Sequence, residues 1–343
     1  MTPQSYHFYQ VNREAILEEI GRERARQMLR NMFLIRHFEQ RGEAAYQQGQ
    51  VGGFYHSYIG QEAIQTAAVA AIGPDNWWST SYRCHALALL LGVTPKEAMA
   101  ELYGRSTGNA KGRGGSMHLF SGRLLGGDGI VGGQVPIGVG AAFTIQYLQR
   151  KEVSVIFLGD GAVAQGVVHE AWNLAALWRL PALTVIENNQ WGMGTAVARA
   201  ISVQPIAELK APGYGMRGYS VDGGDLVACY GLFQELKALM VQDPQPVLVE
   251  AVTQRFRGHS ISDPALYRSK EELQACMAQD PLLKFRQVLF DKGWVSESEV
   301  QEWDRQARDE VVAAMKAAEQ DPWPDVGELE QDVFAPEEFR SCP

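Results

Sequence analysis

Cysteine is scarce in this sequence, with four among 343 residues. Cys84, Cys229, Cys276 and Cys342 are far apart in the chain and form no C-x-x-C pair. Zinc sites and disulfide frameworks draw on clustered cysteines, so the sequence predicts neither. Unpaired cysteines at this low density are typical of a reduced, intracellular compartment.

Long apolar runs and basic runs are also missing. No stretch approaches the roughly 18 consecutive apolar residues of a membrane span. The opening segment, MTPQSYHFYQVNREAILEEIG, has neither the pattern of a signal peptide nor that of a transit peptide. The formal net charge is −9, and no Lys/Arg cluster offers a surface to nucleic acid or anionic lipid. We therefore expect a cytoplasmic protein that binds neither nucleic acid nor a membrane.

A third missing pattern is the dinucleotide fingerprint. No predicted strand is followed by G-x-G-x-x-G with an acidic residue about 20 positions later, which disfavours a nicotinamide enzyme. Hydrophobic residues, in contrast, make up 46% of the chain, an ordinary share for a protein with a large buried core.

The stretch from Val153 to Gly194 reads as one complete βαβ unit. Val153 to Leu158 is apolar and rich in β-branched residues, as in a strand buried on both faces. Gly166 to Leu180 has helical spacing and stops before Pro181, and Leu183 to Ile186 is a second buried run. A strand, a helix and a strand in this order predict two parallel strands with a right-handed connection.

Polar residues follow both strands of this unit. Asp160 and Asn189 come just after the strand ends, where parallel α/β sheets bind their ligands. Neighbouring strands lie about 5 Å apart, so a carboxylate and an amide oxygen can share one small cation. Oxygen ligands beside a phosphate suit Mg²⁺, and Gly161 lets the backbone approach a ligand closely. The sequence therefore predicts a diphosphate held through Mg²⁺.

Gly159-Asp160-Gly161 followed by Asn188-Asn189 resembles the thiamine diphosphate fingerprint. The surrounding sequence is similar to the decarboxylating components of 2-oxo acid dehydrogenase complexes, in particular to the alpha subunits of pyruvate dehydrogenases. The resemblance implies an α/β fold with a three-layer, doubly wound, mostly parallel sheet of the diphosphate-binding type. It also implies a helical extension over 1–50, the cofactor-binding domain over 51–270, and a helical segment with a tail over 271–343.

The same resemblance assigns roles residue by residue. Asp160, Asn189 and the backbone carbonyl of Trp191 would hold Mg²⁺. His56 would bind substrate or an intermediate at the thiazolium end, and His259 would serve substrate or lipoyl chemistry. The residues assigned to thiamine diphosphate are Tyr82, Arg83, Gly129, Val131, Asp160, Gly161, Ala162, Asn189, Arg255 and His259.

Two of these segments also have a structural interpretation. His56 lies between aromatic residues and can be a satisfied structural histidine, and the segment TQRFRGHSISDP, residues 253–264, can be a polar surface loop. The Gly-rich basic loop from Gly104 to His118 lacks the Walker order of a phosphate loop, and its His118 is a further candidate site residue. Ala164 departs from the family, which has Asn or Thr there.

The resemblance also implies partners. The glutamate that activates thiamine diphosphate in the family belongs to a beta subunit, which no part of these 343 residues resembles. We expect an α₂β₂ heterotetramer that decarboxylates pyruvate and transfers the acetyl group to a lipoyl acyltransferase. The alternatives are the alpha subunit of a branched-chain 2-oxo acid or acetoin dehydrogenase and, in a different class, a non-catalytic scaffold subunit.

Flanking elements follow from periodicity and caps. Asn12 can cap a helix that runs, with a break, to about Gln48. Helices are also expected over 63–71, 86–91, 135–147 and 226–241, and a strand over 246–251. From Lys270 the chain is predicted helical, and 321–343 is predicted to be an extended tail.

Overall fold

A parallel sheet forms the centre of the protein. The structure is a computed structural model that describes residues 6–331. Within that range, six strands form one sheet in which every neighbouring pair is parallel, and two short strands form a separate antiparallel hairpin. The strands are β1 (Trp77–Ser81), β2 (Leu124–Asp128), β3 (Ser154–Gly159), β4 (Ala182–Asn188), β5 (Trp191–Gly192), β6 (Thr195–Ala196), β7 (Arg217–Asp222) and β8 (Val247–Val252). The order in the sheet is β2-β1-β3-β4-β8-β7, with β5 and β6 in the hairpin.

The helices cover both faces of this sheet and both ends of the chain. They are α1 (Arg13–Ile20), α2 (Arg22–Gln47), α3 (Glu62–Ile72), α4 (His85–Leu90), α5 (Pro95–Leu102), α6 (Gln134–Tyr147), α7 (Gly166–Leu177), α8 (Val197–Ala200), α9 (Ile206–Lys210), α10 (Leu226–Gln242), α11 (Lys270–Met277), α12 (Pro281–Asp291) and α13 (Glu297–Glu319). None of the helices described is both long enough and apolar enough to cross a membrane. The cytoplasmic location stays a prediction.

Alternation along the central strands builds three layers. Val155 and Phe157 of β3 pack in the large core shared with α3 and α10. Ile156 and Leu158 of the same strand face the other way, into the core beneath α6 and α7. Side chains of a strand alternate between the two faces, so a strand buried on both sides needs apolar residues at every position. The predicted three-layer α/β fold is confirmed.

The predicted βαβ unit is also confirmed. β3 and β4 pair in parallel from Ser154 opposite Ala182 to Gly159 opposite Glu187, so both strands end at the same edge of the sheet. α7 ends at Leu177, three residues before the predicted end at Leu180, because Arg179 takes a left-handed conformation with φ 52°.

The amino-terminal helix and its break are where the sequence predicted them. The Asn12 side chain accepts a hydrogen bond from the backbone N–H of Ala15, and Gly21, with φ 71°, separates α1 from α2. At the other end, the apolar stripe of α13, including Val300 and Trp303, is buried in the same core as α2.

The strands missed from the sequence include β1 and β2, at one end of the sheet. β1 reads WWSTS and the edge strand β2 reads LLGGD, and neither has the continuous β-branched run of β3. The tail prediction is only partly testable, because residues 332–343 lie outside the described range. Up to Gln331 the segment contacts the Gly-rich loop: Ser106 N donates to Pro322 O at 3.0 Å, and Arg105 lies over the ring of Trp323.

Candidate active site

A cavity of about 570 Å³ opens at the carboxyl ends of β1, β3 and β4. This is the edge where parallel sheets bind ligands. Its wall contains every residue to which the sequence assigned a catalytic, cofactor-binding or metal-binding role, namely His56, Tyr82, Arg83, Gly129, Val131, Asp160, Gly161, Ala162, Asn189, Trp191, Arg255 and His259.

Asp160 has an unsatisfied carboxylate at the bottom of this cavity. The residue is 1% exposed, and its Oδ2 is buried without a hydrogen-bond partner among the described residues. Burial raises the pKa of Asp160 to about 6. A buried carboxylate oxygen with no donor is costly unless a cation or proton meets it. Asp160 is therefore suited to act as a metal ligand.

The oxygens of Asn189 and Trp191 lie in the loop that follows the neighbouring strand. Asn189 Nδ2 donates to Gln61 Oε1 at 3.0 Å, and its Oδ1 accepts from Trp191 N at 3.3 Å. No cluster of three or more His, Cys, Asp or Glu side chains suited to a metal occurs within residues 6–331. One carboxylate, one amide and one backbone carbonyl form a hard, low-charge oxygen set, which suits Mg²⁺ shared with a phosphate better than Zn²⁺.

Glycine brings the two loops together. A Cβ atom on Gly161 would come within 3.1 Å of Gly192 Cα, and one on Gly192 would come within 3.2 Å of Gly161 Cα. Contacts that short are tighter than most real Cβ contacts, so a larger residue at either position separates the loop of Asp160 from that of Asn189 and Trp191.

Two arginines supply positive charge to the cavity. Arg83 Nη2 donates to His259 O at 3.0 Å and Nη1 donates to Ser57 O, which leaves three of its five N–H groups without a protein acceptor in the described chain. Burial, followed by the charge of Arg255, lowers the pKa of Arg83 to about 10. Arg83 is thus charged at neutral pH and can donate to an anion.

Arg255 is engaged mainly with the protein. It donates to the carbonyls of Trp191, Met193 and Arg257 at 3.1–3.3 Å and to Tyr267 Oη at 2.7 Å. These four bonds leave one N–H for a ligand. The first effect of Arg255 is therefore to fix the loop that carries the Trp191 carbonyl.

His56, Tyr82 and His259 form a group of rings above the two arginines. The ring centroid of His56 lies 4.3 Å from that of Tyr82 and 4.9 Å from that of His259. Burial and then the charge of Arg83 lower the pKa of His56 to about 2 and that of His259 to about 4. Both imidazoles are neutral at pH 7, and the buried Nδ1 of His56 has no partner among the described residues. Neutral imidazoles can accept or relay a proton.

The segment after β8 closes one side of the cavity. Asp263 Oδ2 accepts from His259 N at 2.6 Å and from Tyr267 Oη at 2.8 Å. The Tyr267 ring packs against the Trp191 ring with centroids 4.9 Å apart. The polar loop of the sequence is thus joined both to His259 and to the loop of the candidate metal ligands.

Sequence reasoning missed several residues of the wall. Gln61 and Glu187 are buried at the cavity, and Met117 and Gln134 also line it. Burial raises the pKa of Glu187 to about 7, and Tyr58 Oη and Gln65 Nε2 both donate to its Oε1. A signal was present for Glu187, because an acidic residue at the end of an apolar strand is unusual.

Two residues considered from the sequence do not reach the cavity. His118 is exposed and its Nδ1 contacts the carbonyl of Gly127 at 3.1 Å. Ala164 is also exposed and is not part of the cavity wall.

Comparison with known proteins identifies the family. The model of the dehydrogenase E1 component family matches residues 30–327. The chain belongs to the dehydrogenase E1 component family. It is 43% identical to the pyruvate dehydrogenase E1 component subunit alpha of Rickettsia felis over 307 residues, which cover 89% of this chain and 94% of that relative.

Similarity extends to more distant dehydrogenase E1 components. The chain is 42% identical to the subunit alpha of Rhizobium meliloti over 321 residues, 93% of this chain and 92% of that protein. It is 37% identical to the mitochondrial subunit alpha of Chaetomium thermophilum over 338 residues, 97% of this chain and 82% of that protein. Dehydrogenase E1 components depend on thiamine diphosphate, so the resemblance predicted from the sequence is confirmed at the level of the family.

Proposed function

We propose that this chain is the alpha subunit of a pyruvate dehydrogenase (acetyl-transferring). The enzyme decarboxylates pyruvate with thiamine diphosphate and transfers the acetyl group to the lipoyl group of a dihydrolipoyl acyltransferase. The observation that carries the proposal is the unsatisfied Asp160 oxygen beside Asn189 and Trp191, in a cavity of a chain 43% identical to such a subunit over 89% of its length.

The residues of the cavity divide into binding and proton-handling groups. Asp160, Asn189 and the Trp191 carbonyl would hold Mg²⁺, and the free N–H groups of Arg83 would donate to the diphosphate. Tyr82, Gly129, Val131, Gly161 and Ala162 would form the remaining cofactor contacts. Thiamine diphosphate supplies the electron sink for the carbanion that remains when CO₂ leaves.

His56 and His259 are proposed to act on substrate and on the lipoyl group. As neutral imidazoles beside the cationic Arg83, they can donate a hydrogen bond to an oxygen of the substrate or accept one from a donor group. The Trp191–Tyr267 contact would limit the access of water to that side of the cavity.

A beta subunit is proposed to complete the site in an α₂β₂ heterotetramer. Apolar side chains of α6, of α7 and of the residue that follows α7 are exposed in the isolated chain, and we call them the apolar surface of α6 and α7: Ile137, Phe143, Tyr147, Leu174, Leu177 and Trp178. The ring of Phe143 lies 6.2 Å from that of Tyr147 and 5.6 Å from that of Trp178, and exposed apolar side chains grouped in this way are typical of a subunit contact. The interaction with a lipoyl acyltransferase is part of the same proposal.

Titration calorimetry of thiamine diphosphate into the co-expressed alpha and beta subunits tests the cofactor site. We expect Mg²⁺-dependent binding that Asp160→Asn abolishes. Asp280→Asn is the matched control, because Asp280 is a buried aspartate that caps the start of α12 and binds Arg36, and neither residue lines the cavity. Binding that survives Asp160→Asn would contradict the proposal.

The acyl group is tested by comparing pyruvate with 3-methyl-2-oxobutanoate and acetoin as substrates of the same complex. A preference for pyruvate supports the proposal, and a preference for either of the others favours the branched-chain 2-oxo acid or acetoin alternative. Decarboxylation that survives both Asp160→Ala and His259→Ala would instead favour a non-catalytic role for this chain.

A further inference from the structure

The Gly-rich loop between α5 and β2 contributes Met117 to the cavity wall. Apart from a short 3₁₀ turn at Gly115–Met117, this loop has no regular structure. Turns within the loop pair some of its backbone N–H groups, such as that of Gly108 with Arg105 O at 3.0 Å, and the remaining N–H groups need acceptors from elsewhere. In a phosphate-binding loop the acceptor is the ligand, whereas here it is part of the chain.

Glu101 supplies that acceptor. The residue is fully buried in the last turn of α5, and its carboxylate accepts four backbone hydrogen bonds from the loop. Oε2 accepts from Ala110 N at 2.8 Å and Gly112 N at 2.9 Å, and Oε1 accepts from Gly114 N at 2.7 Å and Gly115 N at 3.1 Å. The loop is wrapped around one internal carboxylate.

The glycines of the loop are explained by this arrangement. A Cβ atom on Gly108 would lie 2.3 Å from Glu101 Oε2 and 2.6 Å from Glu101 Cα. Gly112 has φ +76°, and a Cβ there would lie 2.6 Å from the backbone of Gly104. The backbone can approach the carboxylate and turn around it only where side chains are absent.

The position of Glu101 also needs an explanation. An anionic side chain in the last turn of a helix opposes the helix dipole, and a buried carboxylate loses its hydration. Four N–H donors replace the lost water, and hydrogen bonds to a charged acceptor are among the strongest in proteins. The carboxylate and the loop therefore stabilise each other.

A second anchor holds the loop next to Met117. His85 Nε2 lies 2.8 Å from Ser116 Oγ, and His85 Nδ1 lies 3.1 Å from Glu39 Oε1. This has the connectivity of a Ser-His-Glu catalytic triad, but Ser116 is 2% exposed and neither His85 nor Ser116 belongs to the cavity wall. His85, which also contacts Glu39, thus holds the loop at Ser116, in addition to the contacts with Glu101.

We propose that Glu101 is a positioning residue of the active site, which folds the Gly-rich loop around its carboxylate and so places Met117 in the cavity wall. The loop is consequently not wrapped around an external anion, because the N–H groups of Ala110, Gly112, Gly114 and Gly115 already donate to Glu101. That the wall belongs to a thiamine diphosphate enzyme rests on the proposed function, whereas the folding of the loop does not.

Hydrogen exchange on the co-expressed alpha and beta subunits tests the loop directly. In the wild type, we expect the amides of Ala110, Gly112, Gly114 and Gly115 to be protected, and Glu101→Gln should speed their exchange by about tenfold or more. The control Asp280→Asn also removes a buried charge, and it should leave these four amides unchanged. Full exchange of the wild-type amides within the dead time, or equal acceleration by both variants, would overturn the proposal.

Chemical rescue separates the charge of Glu101 from its bulk. In Glu101→Ala, formate should restore protection of the loop amides, and neutral formamide at the same concentration should not. Rescue by both molecules or by neither would contradict a charge-dependent role. This result does not depend on activity, so it stands even when the complex fails to bind thiamine diphosphate.

Kinetics connect the loop to the site. For Glu101→Gln, kcat/KM for pyruvate should fall by about tenfold, because small displacements of a cavity wall cost this much or more. The Kd for thiamine diphosphate should stay within about twofold, because Asp160 and Asn189 are untouched. An unchanged kcat/KM with a disordered loop would refute positioning through Met117.

Discussion

A buried aspartate without a partner is a liability for a protein that lacks its ligand. Asp160 is buried, and burial is the first cause of its raised pKa of about 6. The charged form of the carboxylate is thus disfavoured in the folded chain relative to the unfolded one. The buried oxygen without a donor remains available to a cation. The loss of folding stability at Asp160 is therefore explained by its proposed role as a metal ligand.

This trade-off predicts the effect of Asp160→Asn on stability. A pKa raised from 3.8 to about 6 means that the contribution of Asp160 to stability is fully present below pH 3.8 and is lost as the pH rises through about 6. A pKa raised from 3.8 to about 6 corresponds to roughly 3 kcal/mol. Without cofactor and Mg²⁺, Asp160→Asn should therefore be more stable than the wild type at pH 7.

Urea unfolding of both proteins between pH 4 and pH 8 measures this difference. We expect it to be small at pH 4 and to grow toward pH 7, and then to shrink or reverse when thiamine diphosphate and Mg²⁺ are added to the wild-type complex. If Asp160→Asn is less stable than the wild type at every pH, the Asp160 carboxylate stabilises the folded chain through its contacts, and the prediction is wrong.

Individual site residues differed in how far the sequence could predict them. Asp160 and Asn189 could be placed because the end of a buried strand fixes the backbone of the next residue, and parallel strands end at one edge. Two partners of Arg255 could not be predicted, because the carbonyls of Trp191 and Met193 belong to a loop more than 60 residues away. Glu101 gave no signal either, since a glutamate in a helix is ordinarily a solvated residue.

At the scale of elements, prediction succeeded where one physical pattern dominated. The buried run of β3 and the helical spacing of α7 were clear, and the Asn12 cap fixed the start of α1. β1 and β2 were missed because their burial comes from neighbours that only the folded sheet supplies. Sequence periodicity reports a strand's own composition, not its position in the sheet.

The contact between α6 and the sheet gives a matched pair of substitutions. A Cβ atom on Gly138 would lie 2.4 Å from Ile156 Cγ1, whereas one on Gly140 meets nothing within 4 Å. Gly138→Ala should lower the free energy of unfolding by about 1–3 kcal/mol through overpacking. Gly140→Ala should raise it by about 0.5–1 kcal/mol, because alanine is the better helix former. Thermal unfolding of the purified chain measures both, and equal effects would refute the tight helix–sheet contact.

The loop from Arg255 to Arg268 gives the second prediction at this scale. Arg255 donates to the carbonyls of Trp191 and Met193, and the Tyr267 ring packs against the Trp191 ring. These contacts connect the loop to Trp191, whose carbonyl is a candidate Mg²⁺ ligand. We expect its amide hydrogen exchange to slow when thiamine diphosphate and Mg²⁺ bind to the heterotetramer, because the ligand stabilises the loop that it packs against. If amide exchange in this segment is unchanged when the protein is saturated with thiamine diphosphate and Mg²⁺, the loop is not coupled to the cofactor site.

At the scale of the whole molecule, the cavity and the exposed apolar surface both fit a subunit of the proposed α₂β₂ heterotetramer. The cavity wall carries candidate metal ligands and two neutral histidines, but the glutamate that the family uses to activate thiamine diphosphate was expected on a beta subunit. The apolar surface of α6 and α7 fits this expectation, since aromatic side chains such as Phe143 and Tyr147 are costly to leave in water. Assembly would bury that surface and complete the site in one step.

Phe143→Glu tests this surface. Phe143 is 46% exposed and its ring lies 5.6 Å from that of Trp178, so a charge there would be desolvated in a subunit contact. We expect the variant to fold with the far-UV circular dichroism of the wild type, and to lose association with the beta subunit by at least about tenfold. The matched control is Val326→Glu, which puts the same charge on an apolar residue that is 85% exposed and lies outside α6 and α7. Sedimentation velocity of the co-expressed subunits distinguishes the two, and an intact heterotetramer with Phe143→Glu would show that α6 and α7 face solvent or another partner.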